Sequence, residues 1–164
     1  MLHSHCSHCG VAYPPDAPWP RVCASCGQTT WRNPLPVAVA LVPVTTGDGT
    51  GLVVVRRDIE PRKGELALPG GFIEYGEDWR AAAVRELSEE AGLPGDADAV
   101  RLFAAHSAPD GTLLVFGLLP PRPATELPPS TTTEESSEWL VITEPQKMAF
   151  PLHTQVVEAF FAGG

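Results

Sequence analysis

Several things are scarce in this 164-residue sequence. No run approaches the roughly 20 consecutive apolar residues that a bilayer-crossing helix needs, so a helical membrane span is excluded. Positive charge is short: 11 Lys and Arg stand against 20 Asp and Glu, a net charge of -9. That balance works against long-range attraction to a nucleic-acid polymer or an anionic membrane, and neither is expected as a partner. Cysteine is missing after Cys26, so disulfides cannot staple the body of the chain. The opening MLHSHCSHCG has neither a basic start nor an apolar signal core, and a cytoplasmic location is the expectation. If such a chain handles phosphates, a bound cation has to answer the charge.

What is present suits one globular domain with a small appendage, since 43% of the residues are hydrophobic and the length matches a single core. Residues 1–34 are rich in Cys, Pro and turn formers. The composition then shifts at LPVAVALVPV, Leu35 to Val44, which reads as a buried strand. Units at 1–34 and 35–164 are therefore expected. LVVVRR, EWLVIT and the pair VRLFAAHSA and TLLVFGLL, joined through PDG, read as further strands. PPRPATELPPSTTTEESS reads as a polar surface loop. Trp79, Ala83, Leu87 and Ala91 recur at helical spacing, which predicts a helix over Glu77 to Ala91 with its exit at Gly92. LHTQVVEAFFA closes the chain as a second helix. Strands mixed with two helices predict an α/β layered fold.

The first helix is unusual in its charge. Glu86, Glu89 and Glu90 share a face three and four residues apart, and the last two sit at the end that already carries partial negative charge. Solvated charged faces normally interleave Lys, yet this helix has none; Arg85 answers only part of the charge. A hard divalent cation answers the rest, because Mg2+ prefers carboxylate oxygens and keeps waters that a phosphate can replace. Pro69-Gly70-Gly71, just before, is a turn that can approach a ligand closely or offer a carbonyl to a metal. On this reading the acidic face lies at the surface.

Gly71, Glu77, Arg85-Glu86-Leu87, Glu89-Glu90 and Gly92-Leu93 stand at the spacing of a complete Nudix box, and the chain resembles Nudix hydrolases. The resemblance implies a Nudix-type α/β/α sandwich with a mixed sheet, and hydrolysis of a nucleoside diphosphate linked to another group, helped by Mg2+ or Mn2+. It implies that Glu86, Glu89 and Glu90 and the Gly70 carbonyl bind the metal. The base is either Glu86 or a glutamate of a later loop, where Glu134, Glu135 and Glu138 stand. Glu77 and Arg85 are implied to be structural. Family members are often dimers, so a homodimer is a further expectation.

Cys6-x2-Cys9 and Cys23-x2-Cys26 form a second constellation. Each pair is followed by Gly, which permits the tight turn that lets backbone amides face thiolates. Four sulfurs suit a closed, structural Zn2+ site, so His3, His5 and His8 are expected to stay outside it. The module resembles the zinc ribbon ahead of the Nudix domain in NADH pyrophosphatases. The array that usually follows the box in those enzymes is absent from RLFAAHSAPDGTLLVFG, whereas Pro109 lies where ADP-ribose pyrophosphatases carry a proline. The tyrosine of dinucleoside polyphosphate hydrolases and the upstream pattern of coenzyme A hydrolases are missing. The small nucleotide expected as substrate is ADP-ribose or a relative; NADH or NAD, a non-catalytic nucleotide sensor and a ribbon-based adaptor are the rivals. Trp19, Trp31, Phe72, Trp139 and Phe150 are the aromatic candidates for stacking a base, and His106 and His153 read as half-buried histidines.

Overall fold

The computed structural model describes residues 3–47 and 49–163, and the chain divides into two units, Met1–Pro34 and Leu35–Gly164. In the first unit, strands β1 (Arg21–Val22) and β2 (Thr29–Thr30) pair antiparallel around the second cysteine turn. Each turn closes the same way: Gly10 N–H donates to the Cys6 carbonyl at 3.0 Å and Gly27 N–H to that of Cys23 at 2.8 Å. Both glycines have left-handed backbones, φ 76° and 72°, which side-chain-bearing residues adopt only at a cost. Arg21 stacks on Tyr13 and Trp19, and the Tyr13 hydroxyl meets Thr30 Oγ1 at 2.7 Å. Cys6, Cys23 and Thr30 are the only buried residues among those described in this unit.

In the second unit the apolar run does not make one strand. It splits into β3 (Leu35–Leu41) and β4 (Pro43–Thr46), with Val42 between them, and the two halves enter different sheets. The remaining strands are β5 (Gly49–Arg57), β6 (Leu66–Ala67), β7 (Gly70–Phe72), β8 (Arg101–Ser107), β9 (Thr112–Leu118), β10 (Arg122–Pro123) and β11 (Ser136–Ile142). One sheet runs β10-β4-β5-β11 with β6 also on β5; the other runs β7-β3-β9-β8. The pairs β3–β9 and β4–β10 are parallel and the others antiparallel, so both sheets are mixed.

Strand alternation sorts the core into two layers. Ala38 and Ala40 of β3, with Val53 and Val55 of β5, pack with Ala83, Leu87 and Ala91 of helix α1 (Trp79–Ala91). Val39, Leu41, Leu52 and Val54 point the other way and pack with Phe116, Val156 and Val157, the last two from helix α2 (Pro151–Phe161). Helices thus cover opposite faces, which is the α/β/α arrangement. None of the described helices is long and apolar enough to cross a membrane.

Helix α1 starts at Trp79 rather than Glu77 because Asp78 caps it from an extended conformation, its carboxylate accepting the Arg80 N–H at 2.8 Å. Gly92, with φ 66°, ends it and donates to the Ser88 carbonyl. Proline at its first position suits α2, where a missing N–H costs nothing. His153 in α2 is buried rather than half-buried, 5% exposed, and its Nδ1 accepts the Leu68 N–H at 3.2 Å. That bond needs a neutral ring.

Burial, reinforced by the Arg57 charge, pulls His153 down to about 4. Its unfolded value is near 6.5, so the unfolded chain takes up the proton first and stability falls as pH drops from about 6.5 to 4. The expected loss through this one residue is about 3 kcal/mol. Urea unfolding of wild type and His153→Gln at pH 7 and pH 4 checks it: the variant keeps an acceptor for Leu68 and should lose about 3 kcal/mol less across that window. Equal losses would mean that His153 is not the group responsible.

Candidate active site

The sequence places β7 immediately before α1, and the fold lays the strand along the helix. β7 pairs with β3 through Val39↔Gly70, Ala38↔Gly71 and Val37↔Phe72. Gly70 N–H donates to Glu90 Oε2 at 3.2 Å. At Gly71 an added Cβ would lie 2.5 Å from Glu86 Oε1, so the missing side chain makes room for that carboxylate. An added Cβ at Gly70 would instead meet backbone, 2.5 Å from the Ala38 oxygen and 2.8 Å from Val39 Cα.

The two glycines therefore predict different failures. Gly70→Ala should destabilise the fold by about 2–3 kcal/mol, because backbone cannot yield without disturbing the sheet. Gly71→Ala should leave the melting temperature within a few degrees and lower activity by about tenfold or more, because only the carboxylate end of Glu86 has to shift. Thermal melts beside turnover measurements separate the two; matched losses in both variants would contradict the assignment.

The acidic face is not at the surface, as sequence reading has it. Glu86 and Glu90, one turn apart, are 8% and 5% exposed, while Glu89 projects outward. Glu135, on the turn before β11, lies close enough to repel both buried carboxylates. Burial, with that repulsion, raises Glu86 above the usual carboxylate range and pushes Glu90 up to about 8. The Gly70 amide and Arg57 oppose the rise at Glu90 without cancelling it.

Arg85 is the principal counterweight. Its Nε and Nη2 donate to Glu77 at 2.9 and 3.0 Å, and its Nη1 to Glu86 Oε1 at 2.7 Å and Glu89 Oε2 at 3.0 Å. Nη2 also reaches the Phe72 carbonyl at 3.0 Å. This uses the whole donor fork of a guanidinium and holds Glu77 below the usual carboxylate range. Glu77 is thus tied to Arg85 and sits outside the Glu86–Glu90–Glu135 grouping.

Two buried carboxylates with a third beside them, answered only in part by Arg85 at Glu86 and by Arg57 near Glu90, are costly as they stand. They are the oxygen donors that a hard divalent ion takes, so the residues present fit such an ion. The structure does not group the later glutamates as sequence reading does. Glu138 is in β11, where it pairs with Arg56 at 2.6 Å, and only Glu134 and Glu135 are in the turn. Of the aromatic candidates, Trp139 is buried, Phe150 lies under Arg57 and Phe72 and Trp31 are exposed. Thr133, whose hydroxyl reaches the Glu90 carbonyl, escapes sequence reading, because nothing local marks it out from its neighbours in STTT.

In the first unit the four thiols converge. Cys6 and Cys26 sulfurs are 3.7 Å apart, Cys9 and Cys23 sulfurs 3.6 Å, and all four lie within 4.8 Å of one another. A tetrahedral zinc with Zn–S bonds of about 2.3 Å has sulfur–sulfur edges of about 3.8 Å, so the spacing fits. The His8 amide donates to Cys6 Sγ at 3.4 Å; that bond and another from Cys9 pull the Cys6 thiol down to about 6, toward the thiolate that binds metal. His3, His5 and His8 are not part of the grouping.

A family model described as NUDIX domain matches residues 34–160. An ADP-ribose pyrophosphatase from Methanocaldococcus jannaschii is 40% identical over 80 residues, 49% of this chain and 46% of that protein. A NAD-capped RNA hydrolase NudC from Escherichia coli is 27% identical over 92 residues, 56% of this chain and 34% of that protein. The match thus spans less than half the length of either relative. A crystal structure of a NUDIX hydrolase from Nitrosomonas europaea superposes with a TM-score of 0.71 at 24% identity, covering 97% of this chain and 90% of that one.

Proposed function

The chain belongs to the Nudix family, and we propose that it hydrolyses the pyrophosphate bond of a nucleoside diphosphate linked to another group, ADP-ribose first among them. The observation that carries this reading is the buried Glu86–Glu90 pair with Glu135 beside it. Glu86 and Glu90 would hold a Mg2+ or Mn2+ ion, with the Gly70 carbonyl and Glu89 completing the set. When bound, the ion supplies Lewis-acid stabilisation of charge on the phosphate oxygens and lowers the pKa of a coordinated water.

The chain's own residues do the rest. Gly70 N–H fixes Glu90, and Arg85 fixes Glu86 through Oε1. The Glu135 carboxylate has no hydrogen-bond or ion-pair partner among the described residues and is exposed, so it is free to take the proton of the attacking water. Glu86, held by Arg85, is the second choice for that role. The water oxygen joins one phosphorus and the bridging oxygen leaves with the other phosphate, giving AMP and ribose 5-phosphate from ADP-ribose.

The first unit would hold a structural zinc, and clustered cysteines kept as metal ligands suit a reducing compartment such as the cytoplasm. The second reading is hydrolysis of NADH or NAD, favoured by the four-cysteine unit and by the NudC relative. Incubation with ADP-ribose, NADH, FAD and nucleoside triphosphates, with and without Mg2+, tests both. Mg2+-dependent release of AMP, fastest from ADP-ribose, is expected. Faster attack on NADH would favour the second reading, and tight nucleotide binding without turnover would leave a sensor.

A further inference from the structure

The tract Ser130–Thr133 reads in the sequence as part of a polar surface loop, but its hydroxyls bind it to the unit. Ser130 Oγ accepts the Trp139 N–H at 2.7 Å, and Thr132 Oγ1 donates to the Ser137 carbonyl at 3.0 Å. Thr133 does something different. Its Oγ1 donates to the Glu90 carbonyl at 3.4 Å and accepts from the amides of Glu135 at 3.4 Å and Ser136 at 3.1 Å. A hydroxyl offers one donor and two acceptor lone pairs, and this one uses all three.

One atom thereby joins the last turn of α1 to the backbone that carries Glu135. The far side of the same residue is pinned too, since the Asp58 N–H donates to the Glu135 carbonyl at 2.7 Å. Next to it, Ser136 is 1% exposed and pairs across to Arg57 of β5, which fixes the inward side of the turn. The Thr133 N–H closes that turn on the Ser136 carbonyl at 2.8 Å. The carboxylate of Glu135 has no such anchor of its own.

We propose that Thr133 is the positioning residue for Glu135: its hydroxyl, held on the Glu90 carbonyl, sets where the Glu135 carboxylate stands relative to Glu86 and Glu90. The proposal rests on the hydrolase reading above, in which Glu135 takes part in the reaction. A shift of about 1 Å in such a group lowers turnover by up to about 100-fold. Thr133 touches neither substrate nor metal on this account; it acts through Glu135.

The test uses the full chain with Thr133→Val, Thr133→Ser, Glu135→Gln and the Val–Gln double variant, assayed on ADP-ribose with Mg2+ and by amide hydrogen exchange. Val keeps the shape of Thr and removes all three bonds; Ser keeps them. Thr133→Val should lower kcat by roughly 10- to 30-fold with KM within about twofold, and Thr133→Ser should restore it to within about threefold. The double variant should be no slower than Glu135→Gln alone, because residues that act as one unit are not additive. Without substrate or metal, exchange at the Glu135 and Ser136 amides should quicken by about tenfold in the Val variant, with the α1 amides unchanged.

A Val variant as active as wild type, while Glu135→Gln is impaired, would overturn the positioning role and leave the hydrolase reading standing. Additive losses in the double variant, or faster exchange throughout α1 and β11, would make Thr133 a merely structural residue. Undiminished turnover in Glu135→Gln would leave nothing to position. Absence of turnover by wild type on every nucleotide tested would remove the hydrolase reading and this proposal with it.

Discussion

Glu90→Gln is expected to lower turnover by about 1,000-fold or more, equivalent to about 4 kcal/mol of transition-state stabilisation, and to leave the fold intact. The reason lies in where Glu90 sits. It is 5% exposed, accepts the Gly70 N–H and is repelled by Glu86 and Glu135. Glutamine has nearly the same shape and keeps an oxygen for Gly70, so the local packing persists. What disappears is one of the two buried charges that would hold the cation. Thermal melts and turnover on the same preparations check both halves. Glu89→Gln makes the control: its carboxylate is exposed and bound to Arg85, so a loss nearer tenfold is expected. Full activity in Glu90→Gln would remove the buried pair from the reaction.

The second large effect concerns the first unit. Cys23→Ser should abolish stoichiometric zinc and unfold residues 1–34, as should a strong chelator on the wild type. A segment of this size has little apolar area to bury. Here the buried side chains among the described residues are two of the cysteines and Thr30, so there is almost no hydrophobic term to hold the turns together. Metal binding then supplies the folding free energy, on the order of 10 kcal/mol for a four-ligand zinc site. Elemental analysis and amide spectra of residues 1–34 read the outcome. Retention of one zinc per chain in the variant would require a different ligand set, with His8 the first to examine.

Much of this was open to sequence reading, for a physical reason. The contacts of α1 are periodic, so Ala83, Leu87 and Ala91 declare its buried face, and Gly92 declares its end. The glutamates declare themselves by standing where a helix terminus should repel them. The four cysteines need no fold at all to be noticed. Other features rest on pairings distant in sequence. The run from Leu35 to Val44 is apolar on both sides, because helices cover both faces of the sheets; nothing in it marks Val42 as the point where one sheet is left for the other. β6 and β7 are two and three residues long, too short to show a period.

Burial of Glu86 and Glu90 was equally hidden. Composition treats a carboxylate as solvated, whereas the fold lays β7 along α1 and sets Gly70 and Gly71 against these two side chains. Glu138 looked like its neighbours Glu134 and Glu135 until β11 carried it opposite Arg56. The work of Thr133 depends on a carbonyl 43 residues away, and one threonine in STTT reads like the next. Backbone-directed hydroxyl bonds leave no periodic trace.

The reach of Arg85 bears on anyone who would transplant this chemistry. Its fork closes on Glu77 and the Phe72 carbonyl, both outside the helix, as well as on Glu86 and Glu89 within it. Cut out alone, the helix would leave that guanidinium half-satisfied and its acids facing one another. The smallest portable piece is therefore the strand, turn and helix together, Gly70 through Gly92, delivered to a host that already has a strand for Gly70–Phe72 to join.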